Sequence, residues 1–257
     1  MDIALNSVLA VGYKNLSQIA RVVTEDWLAR NMFCPHCGQL HVEHMMNNSP
    51  VRDFVCPNCK NEYELKSKQG KFGNKINDGA YETMISRITS NSNPDFFLLD
   101  YSLNTWQVNN LIFIPKYFFV PEIIEKRKPL SENARRAGWV GCNIIISEIP
   151  EQGRVPIIIN GQIQDRTAVL NKTQRSHNLE TTDLKNRGWL MDVLSCVNKL
   201  GRLEFSLNDM YSFADLLALK HPDNHNIRPK IRQQLQMLRD KGFIEFVSAG
   251  QYRRITE

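Results

Sequence analysis

The 257-residue sequence contains no long apolar run. Its longest purely apolar stretches, such as residues 111–114, are far shorter than the roughly 20 residues that a membrane-spanning helix requires. The N-terminus has neither a basic stretch nor a long apolar stretch, so we expect no secretory signal, a cytoplasmic location and no membrane partner. Internal repeats and low-complexity tracts are also missing. With 42% hydrophobic and 23% charged residues, the composition excludes disordered, collagen-like and coiled-coil classes.

The excess of positive charge is small overall but concentrated at one end. The chain has 32 Lys and Arg against 27 Asp and Glu, a net charge of +5, which permits a polyanionic partner without requiring one. Residues 227–257 contain seven basic and three acidic side chains. Most of the net charge therefore lies in the C-terminal segment.

Hydrophobic patterning predicts a mixed α/β first domain. Apolar residues at helical spacing predict helices over residues 17–30 and 80–89. Aromatic and β-branched residues predict strands over residues 95–101, 108–114 and 155–159. The polar stretch 171–182 has almost no apolar periodicity, so we expect a linker or exposed loop there. We place the domain boundary near Asp183, with a first domain over residues 1–183 and a second over 184–257.

The second domain has the element order of a winged helix. We predict three helices, over residues 189–200, 206–219 and 228–241, followed by a hairpin over residues 243–255. This order is a variant of the helix-turn-helix DNA-binding domains.

Four of the six cysteines form two Cys-x-x-Cys pairs, Cys34 with Cys37 and Cys56 with Cys59, with 18 residues between the pairs. This spacing is typical of a four-cysteine zinc site, and a closed shell of four thiolates indicates structural rather than catalytic zinc. Two disulfides are the alternative, as is a ligand set in which His36, His41 or His44 replaces a cysteine. Cys142 and Cys196 are expected to be buried thiols.

The second cysteine pair lies at the turn of a predicted hairpin. Period-2 alternation puts Glu62, Glu64 and Lys66 on one face of the second strand. If the pairing is centred on the turn, Asp53 faces Glu62 directly and Glu64 diagonally, close enough for two carboxylates to share a hard cation. Metal-dependent phosphodiester hydrolysis needs such carboxylates with a lysine beside them. The alternative is an ordinary solvated strand face.

The pattern of Asp53 followed by Glu64-Leu65-Lys66 resembles the PD-(D/E)xK nuclease superfamily, with Pro50 in place of a directly preceding proline. Five further stretches resemble the DpnI-like methyl-directed restriction endonucleases, which cut GATC sites whose adenine carries an N6-methyl group. The similarity runs in the same order from about Ser17 to Tyr252 and includes both cysteine pairs. These stretches are residues 24–27, 64–68, 77–81, 134–139 and 231–236.

The resemblance implies a catalytic set of Asp53, Glu64 and Lys66, with Mg²⁺ held by the two carboxylates and the Leu65 carbonyl. Gln18 or Glu25 of the first helix is a further candidate to approach this metal. The resemblance also implies Zn²⁺ at the four cysteines and a C-terminal winged helix that binds double-stranded DNA containing methylated adenine. We expect a monomer in solution.

The third helix of the C-terminal domain has a buried stripe of Ile227, Ile231, Leu235 and Leu238. Its outward residues and the returning strand of the hairpin provide groups that reach base edges and phosphates. The alternative is a winged helix used only for protein contacts. The candidate DNA-binding residues are Arg228, Lys230, Arg232, Gln233 and Arg253.

A second basic segment includes Arg135 and Arg136 and precedes Trp139, which lies between Gly138 and Gly141. Glycines on both sides favour presentation of the indole from a loop. With the family resemblance, we predict that Trp139 contacts the two adenine methyl groups, whereas the alternative is a buried core tryptophan.

These patterns together predict a Mg²⁺-dependent restriction endonuclease with a structural zinc. A DNA-binding regulator with an inactive nuclease fold is the alternative from another class. A nuclease of the same fold that serves repair or defence at a different sequence is the third reading.

Overall fold

The computed structural model describes residues 1–45, 52–181 and 183–255. Pro50, quoted in the resemblance above, lies outside the described residues. In the described ranges, no helix is both long enough and apolar enough to cross a membrane. The chain divides into two compact units of contacts, the first made of residues 1–76, 86–116 and 152–177, and the second of residues 77–85, 117–151 and 178–257.

The described chain is a mixed α/β structure, as the sequence predicted. Its helices are α1 Leu16–Asn31, α2 Tyr81–Thr89, α3 Arg166–His177, α4 Leu184–Lys199, α5 Leu207–Tyr211, α6 Ala214–Lys220 and α7 Ile227–Asp240. The strands are β1 Glu43–His44, β2 Phe54–Val55, β3 Glu62–Gln69, β4 Ile76–Ala80, β5 Asp95–Ser102, β6 Gln107–Ile114, β7 Ile124–Lys126, β8 Gly141–Ile144, β9 Val155–Ile159, β10 Gln162–Ile163, β11 Glu204–Ser206, β12 Ile244–Ser248 and β13 Gln251–Arg254.

The first unit is built on a seven-stranded sheet of order β1-β2-β3-β5-β6-β9-β10. The β3 and β5 strands are parallel, and the other neighbours are antiparallel. One face of this sheet packs into the core of the unit together with α1, whose Val23, Trp27 and Leu28 are fully buried. Because side chains alternate along a strand, Tyr63 and Leu65 share that face and leave Glu64 and Lys66 on the other.

The polar stretch 171–182 was expected to be a linker, and this expectation was wrong for most of it. Helix α3 continues through His177, and its Val169, Thr173 and Ser176 are each no more than 2% exposed. These buried residues follow helical spacing, but two of the three are hydroxyl residues. A hydropathy pattern therefore missed a helix that packs through small polar side chains.

In the second unit, β4, β8 and β7 form a three-stranded sheet. The C-terminal part has the order α4, β11, α5, α6, α7 and the β12–β13 hairpin, with β13 between β11 and β12. The expected single helix over residues 206–219 is instead two short helices. Ser206 caps α5 through a reciprocal pair of bonds with Asp209, and Ser212 Oγ then bonds the Asp209 carbonyl at 2.6 Å where that helix ends.

Candidate active site and cysteine cluster

The β2–β3 hairpin differs in register from the sequence prediction. Phe54 pairs with Tyr63 and Val55 with Glu62, a shift of two residues from a pairing centred on the turn. A shift of two residues leaves each side chain on the same face of the sheet but gives it a different neighbour across the hairpin. The regular pairing ends at Phe54, and Asp53 lies just before β2 without facing Glu62 as predicted. The Asp53 N–H donates to the carbonyl of Tyr63, the partner of Phe54, at 2.9 Å, so the ladder is irregular at Asp53.

The backbone of β3 holds the Asp53 side chain. Leu65 N–H donates to Asp53 Oδ2 at 2.8 Å, so the carboxylate takes the place of a main-chain ladder acceptor just before β2 begins. Glu64 is 8% exposed, and its Oε1 is ion-paired with Lys66 Nζ. The Lys66 ammonium also lies 5.9 Å from the centre of the Phe96 ring. The structure thus places the Asp53 carboxylate against the backbone of β3 at Leu65, between Glu64 and Lys66.

Two carboxylates beside an ammonium suit a hard divalent cation and an oxyanion. Carboxylate oxygens are the ligands that Mg²⁺ prefers, so the donor set at Asp53 and Glu64 fits that ion. The other candidate on α1, Glu25, makes an ion pair with His44 at 3.2 Å between Oε2 and Nε2. Across the described ranges, the four cysteines are the only cluster of three or more potential ligands that converges on one point.

The four cysteine sulfurs lie within 4.8 Å of one another. The Sγ atoms of Cys34 and Cys59 are 3.5 Å apart, as are those of Cys37 and Cys56. Tetrahedral zinc with bonds of about 2.3 Å needs sulfurs separated by about 3.8 Å, so the cluster fits zinc closely. All six cysteines are free thiols, which contradicts the disulfide alternative, and Cys142 and Cys196 are buried as expected.

Hydrogen bonds favour the thiolate form of Cys37, one of the four candidate zinc ligands. Burial opposes ionisation of Cys37, but hydrogen bonds from the Gln39 backbone and the Asn58 side chain lower the pKa of this thiol to about 6. Burial raises the pKa of Cys34. The amides of Cys37 and Cys59 point at the first sulfur of their own pairs, Cys34 and Cys56, at 3.4 and 3.5 Å.

The cysteine cluster is joined to the sheet that carries the carboxylates. Tyr63 OH lies 2.9 Å from Cys34 Sγ, and Tyr63 directly precedes Glu64 on β3. His36 Nε2 lies 2.8 Å from Asp95 Oδ2 at the start of β5. His36 therefore anchors the first Cys-x-x-Cys loop instead of replacing a cysteine, and His44 is engaged by Glu25.

Trp139 lies on a loop that extends the β7–β8 pair. Leu130 N–H donates to the Trp139 carbonyl at 2.9 Å, and Gly138 N–H donates to the Leu130 carbonyl at 3.1 Å. The indole is half-buried, with the Arg136 guanidinium 4.7 Å from its ring centre. Arg135 and Arg136 are exposed. A Cβ on Gly141 would lie 2.7 Å from the ring, so the indole packs directly on that glycine.

On α7, Ile231, Leu235 and Leu238 are fully buried, whereas Ile227 is only half-buried. Gln234 is also fully buried, which the apolar stripe did not predict. The outward face carries Arg228, Arg232 and Gln233, all exposed.

All five candidate DNA-binding side chains of this domain make contacts within the unit, and the Arg228 guanidinium lies 5.1 Å from the centre of the Tyr211 ring. The Lys230 ammonium is bonded to Asn186 Oδ1 at 2.6 Å and to Gln233 Oε1 at 2.8 Å. Arg232 donates to the Tyr211 hydroxyl at 2.6 Å. In the hairpin, Arg253 is paired with both Glu204 and Glu245, so its charge is balanced locally.

Sequence reasoning missed two groups of cations in the first unit. One follows β3, where Lys68, Lys71 and Lys75 are exposed in a stretch with no acidic residue between Glu64 and Asp78. That run was visible in the sequence as a local charge bias. The second group surrounds a polar cavity and comes from distant parts of the chain, so no local pattern signals it. Its members are Arg52, Lys60, Arg87 and Lys116.

Two family models match this chain. The model described as DpnI, Dam-replacing family, matches residues 1–182. The model described as DpnI_C, Dam-replacing HTH domain, matches residues 185–254, the segment that contains α4 to α7 and the β12–β13 hairpin. The family implies a methylation-dependent restriction endonuclease, and the helix-turn-helix domain supports DNA as its partner. On the first match, which covers more than half of the sequence, together with the second, the chain belongs to the DpnI, or Dam-replacing, family.

Proposed function

We propose that this protein is a Mg²⁺-dependent type II restriction endonuclease that cleaves GATC sites containing N6-methyladenine and so protects the cell against methylated foreign DNA. The observation that carries the proposal is the gathering of Asp53, Glu64 and Lys66 at the β2–β3 hairpin. A chain that only binds DNA has no need of two carboxylates beside the phosphates.

The proposed chemistry is hydrolysis of a phosphodiester by water in a PD-(D/E)xK site. A bound Mg²⁺ supplies charge to polarise the scissile phosphate and lowers the pKa of water. Asp53 and Glu64 would hold the ion through carboxylate oxygens, with the Leu65 carbonyl as a further proposed ligand. Asp53 keeps its orientation through the Leu65 N–H. Lys66 presents its ammonium at Glu64 Oε1, where it stabilises negative charge that builds up on the attacking and phosphoryl oxygens.

Zinc at Cys34, Cys37, Cys56 and Cys59 would have a structural role. Four thiolates close the coordination shell, so no position remains for substrate. The contacts from Tyr63 to Cys34 and from Asp95 to His36 connect this cluster to β3 and β5. Zinc would therefore hold the hairpin on which the carboxylates depend.

DNA would be bound through both proposed domains, residues 1–183 and 184–257, acting as a monomer in solution. In the second, the exposed Arg228, Arg232 and Gln233 on α7 are suited to phosphates and base edges. Lys230 and Arg253 keep supporting roles in the proposal, because Lys230 is half-buried and the charge of Arg253 is balanced by Glu204 and Glu245.

Methyl recognition is assigned to Trp139, with Arg135 and Arg136 contacting the backbone nearby. The two adenine methyl groups of a GATC site are neighbours in the major groove. Burying both at about 0.8 kcal/mol each gives about 1.6 kcal/mol, a preference of only about 15-fold. If the helix-turn-helix domain reads the same mark and both must engage, the preference becomes roughly 200-fold.

The test is cleavage of a plasmid with Mg²⁺, using adenine-methylated and unmethylated DNA from matched preparations and Lys66→Ala as the control. Cleavage of methylated DNA alone, abolished in Lys66→Ala, is the expected result. Equal cleavage of both plasmids would retain the nuclease and refute methyl direction. Tight binding without cleavage of either would favour a regulator with an inactive nuclease fold.

A further inference from the structure

The first unit contains a polar cavity of about 370 Å³ beside the candidate active site. Four cationic side chains line it, those of Arg52, Lys60, Arg87 and Lys116, against two carboxylates, Glu62 and Asp95. Cavities that take small organic ligands are mostly apolar, whereas every residue lining this cavity except Pro94 is polar or charged, and cations outnumber carboxylates. The residues that line the cavity therefore favour an anionic ligand.

Both carboxylates of the cavity already have partners. Glu62 is ion-paired with Arg52. Asp95, which is 1% exposed, accepts the Lys116 N–H at Oδ1 at 2.7 Å and faces His36 at Oδ2 at 2.8 Å. Neither carboxylate is thus available to neutralise the remaining cations.

Two hydrogen-bond donors in the cavity wall have no acceptor among the described residues. The Lys116 ammonium makes no ion pair or hydrogen bond with any described residue, although its backbone is held at both N–H and carbonyl. Arg52 Nε–H is buried and finds no acceptor in the same part of the chain. A buried donor without an acceptor lowers the stability of the fold, so an anion in this cavity would stabilise it by accepting these hydrogen bonds.

The cavity is close to the proposed chemistry. Arg52 immediately precedes Asp53, and Glu62 lies two residues before Glu64 on β3, about 6.6 Å along the strand. Phosphates in one DNA strand are separated by about 3.4 Å along the helix axis. A phosphate in the cavity would therefore lie within a few nucleotides of the scissile one.

We propose that the cavity lined by Arg52, Lys60, Arg87 and Lys116 binds a backbone phosphate of the DNA substrate near the cleavage site. This inference rests on the proposed function. It adds a phosphate subsite that orients the strand to be cut, independently of the α7 surface.

The test compares Lys116→Gln with Lys14→Gln, which removes an exposed lysine outside the cavity, and with Lys116→Arg, which keeps the charge. Binding of a methylated GATC duplex is measured at several salt concentrations, with Ca²⁺ in place of Mg²⁺ to prevent turnover. We expect Lys116→Gln to weaken binding about tenfold and to flatten the slope of log K against log salt by about 0.9. Lys14→Gln should leave both unchanged, and Lys116→Arg should restore most of the affinity.

With Mg²⁺, KM of Lys116→Gln should rise in parallel while kcat stays within about twofold, because the contact is made in both ground and transition states. Thermal unfolding checks that the variants are folded. If Lys116→Gln and Lys14→Gln show the same affinity and salt slope, the inference is wrong even where wild-type cleavage supports the proposed function. Absence of cleavage by the wild type would instead count against the proposed function.

A final experiment distinguishes binding of a DNA phosphate in the cavity from binding of free phosphate. Inorganic phosphate is titrated against the wild type and Lys116→Gln while the melting temperature is followed. If phosphate stabilises only the wild type and DNA affinity also falls in the variant, the cavity accepts phosphate as proposed. If phosphate stabilises the wild type but DNA affinity is the same in both, the cavity is a free-phosphate site and the DNA assignment fails.

Discussion

Substituting Gly141 tests the methyl-reading role of Trp139 without removing the tryptophan. A Cβ at position 141 would lie 2.7 Å from Cη2 and 2.8 Å from Cζ3 of the Trp139 ring. Carbon atoms normally approach no closer than about 3.5 Å, so Gly141→Ala must push the rim of the indole outward by roughly 0.7 Å or more. The ring belongs to a half-buried loop, so the displacement should cost about 1 kcal/mol of folding stability, at the low end for overpacking.

The expected loss of methyl preference follows from that displacement. A gap of 0.5–1 Å forfeits about a quarter to a half of a van der Waals contact. Applied to about 1.6 kcal/mol for two methyl groups, this gives a loss of about 0.4–0.8 kcal/mol, or twofold to fourfold in preference. Complete removal of the ring in Trp139→Ala should cost the full factor of about 15.

The assay is the ratio of cleavage rates on methylated and unmethylated GATC duplexes. Gly79→Ala is the matched control, because an added Cβ there meets nothing within 4 Å. We expect the ratio to decrease in the order wild type or Gly79→Ala, Gly141→Ala, Trp139→Ala. Ratios unchanged from the wild type in both Gly141→Ala and Trp139→Ala would refute the assignment of methyl contact to this indole.

Three further predictions concern stability. Gln234→Leu should raise the free energy of unfolding by about 1–2 kcal/mol in denaturant titrations. The reason is that both polar atoms of the amide are buried without a hydrogen-bond partner among the described residues. A decrease in the free energy of unfolding would show that the amide is hydrogen-bonded. Burial opposes ionisation of Asp192, but His221 and Lys220 lower the pKa of its carboxyl below 3.8. The stabilisation of the fold by the Asp192 carboxylate is therefore present above pH 3.8 and is lost as pH falls through the lowered pKa. The difference in melting temperature between wild type and Asp192→Asn should therefore be constant above about pH 5 and shrink below pH 4, and a difference independent of pH would contradict this. For Cys37→Ser, elemental analysis should detect loss of one bound zinc, with a fall in melting temperature of about 10 °C, whereas full zinc retention would exclude a four-cysteine site.

Much of the local structure could be predicted from the sequence. The helix proposed over residues 17–30 is α1, the strand over 155–159 is β9, and the helix over 228–241 is α7 within one residue at each end. The two helices have clear apolar periodicity because each buries one continuous face, whereas β9 is marked by its β-branched residues. Helix α3 lacked that signal, since its buried face includes Thr173 and Ser176.

The candidate site was predictable in its residue types and strand faces but not in its partners. Period-2 alternation correctly grouped Glu64 with Lys66, since it depends only on the geometry of one strand. The turn between β2 and β3 is longer than the cysteine pair suggested, so the register moved by two residues and the Asp53 carboxylate contacts the Leu65 N–H instead of facing Glu62.

The cysteine spacing, the alternation of side chains along each strand and the amphipathic face of α7 could be read from the chain alone, because each depends on residues a few positions apart. Only the tertiary structure decided which distant groups meet: Tyr63 with Cys34, His36 with Asp95, and Lys116 with Arg52 around one cavity. Such meetings depend on strand order and register, which are set by the packing of the whole sheet and leave no local pattern in the chain.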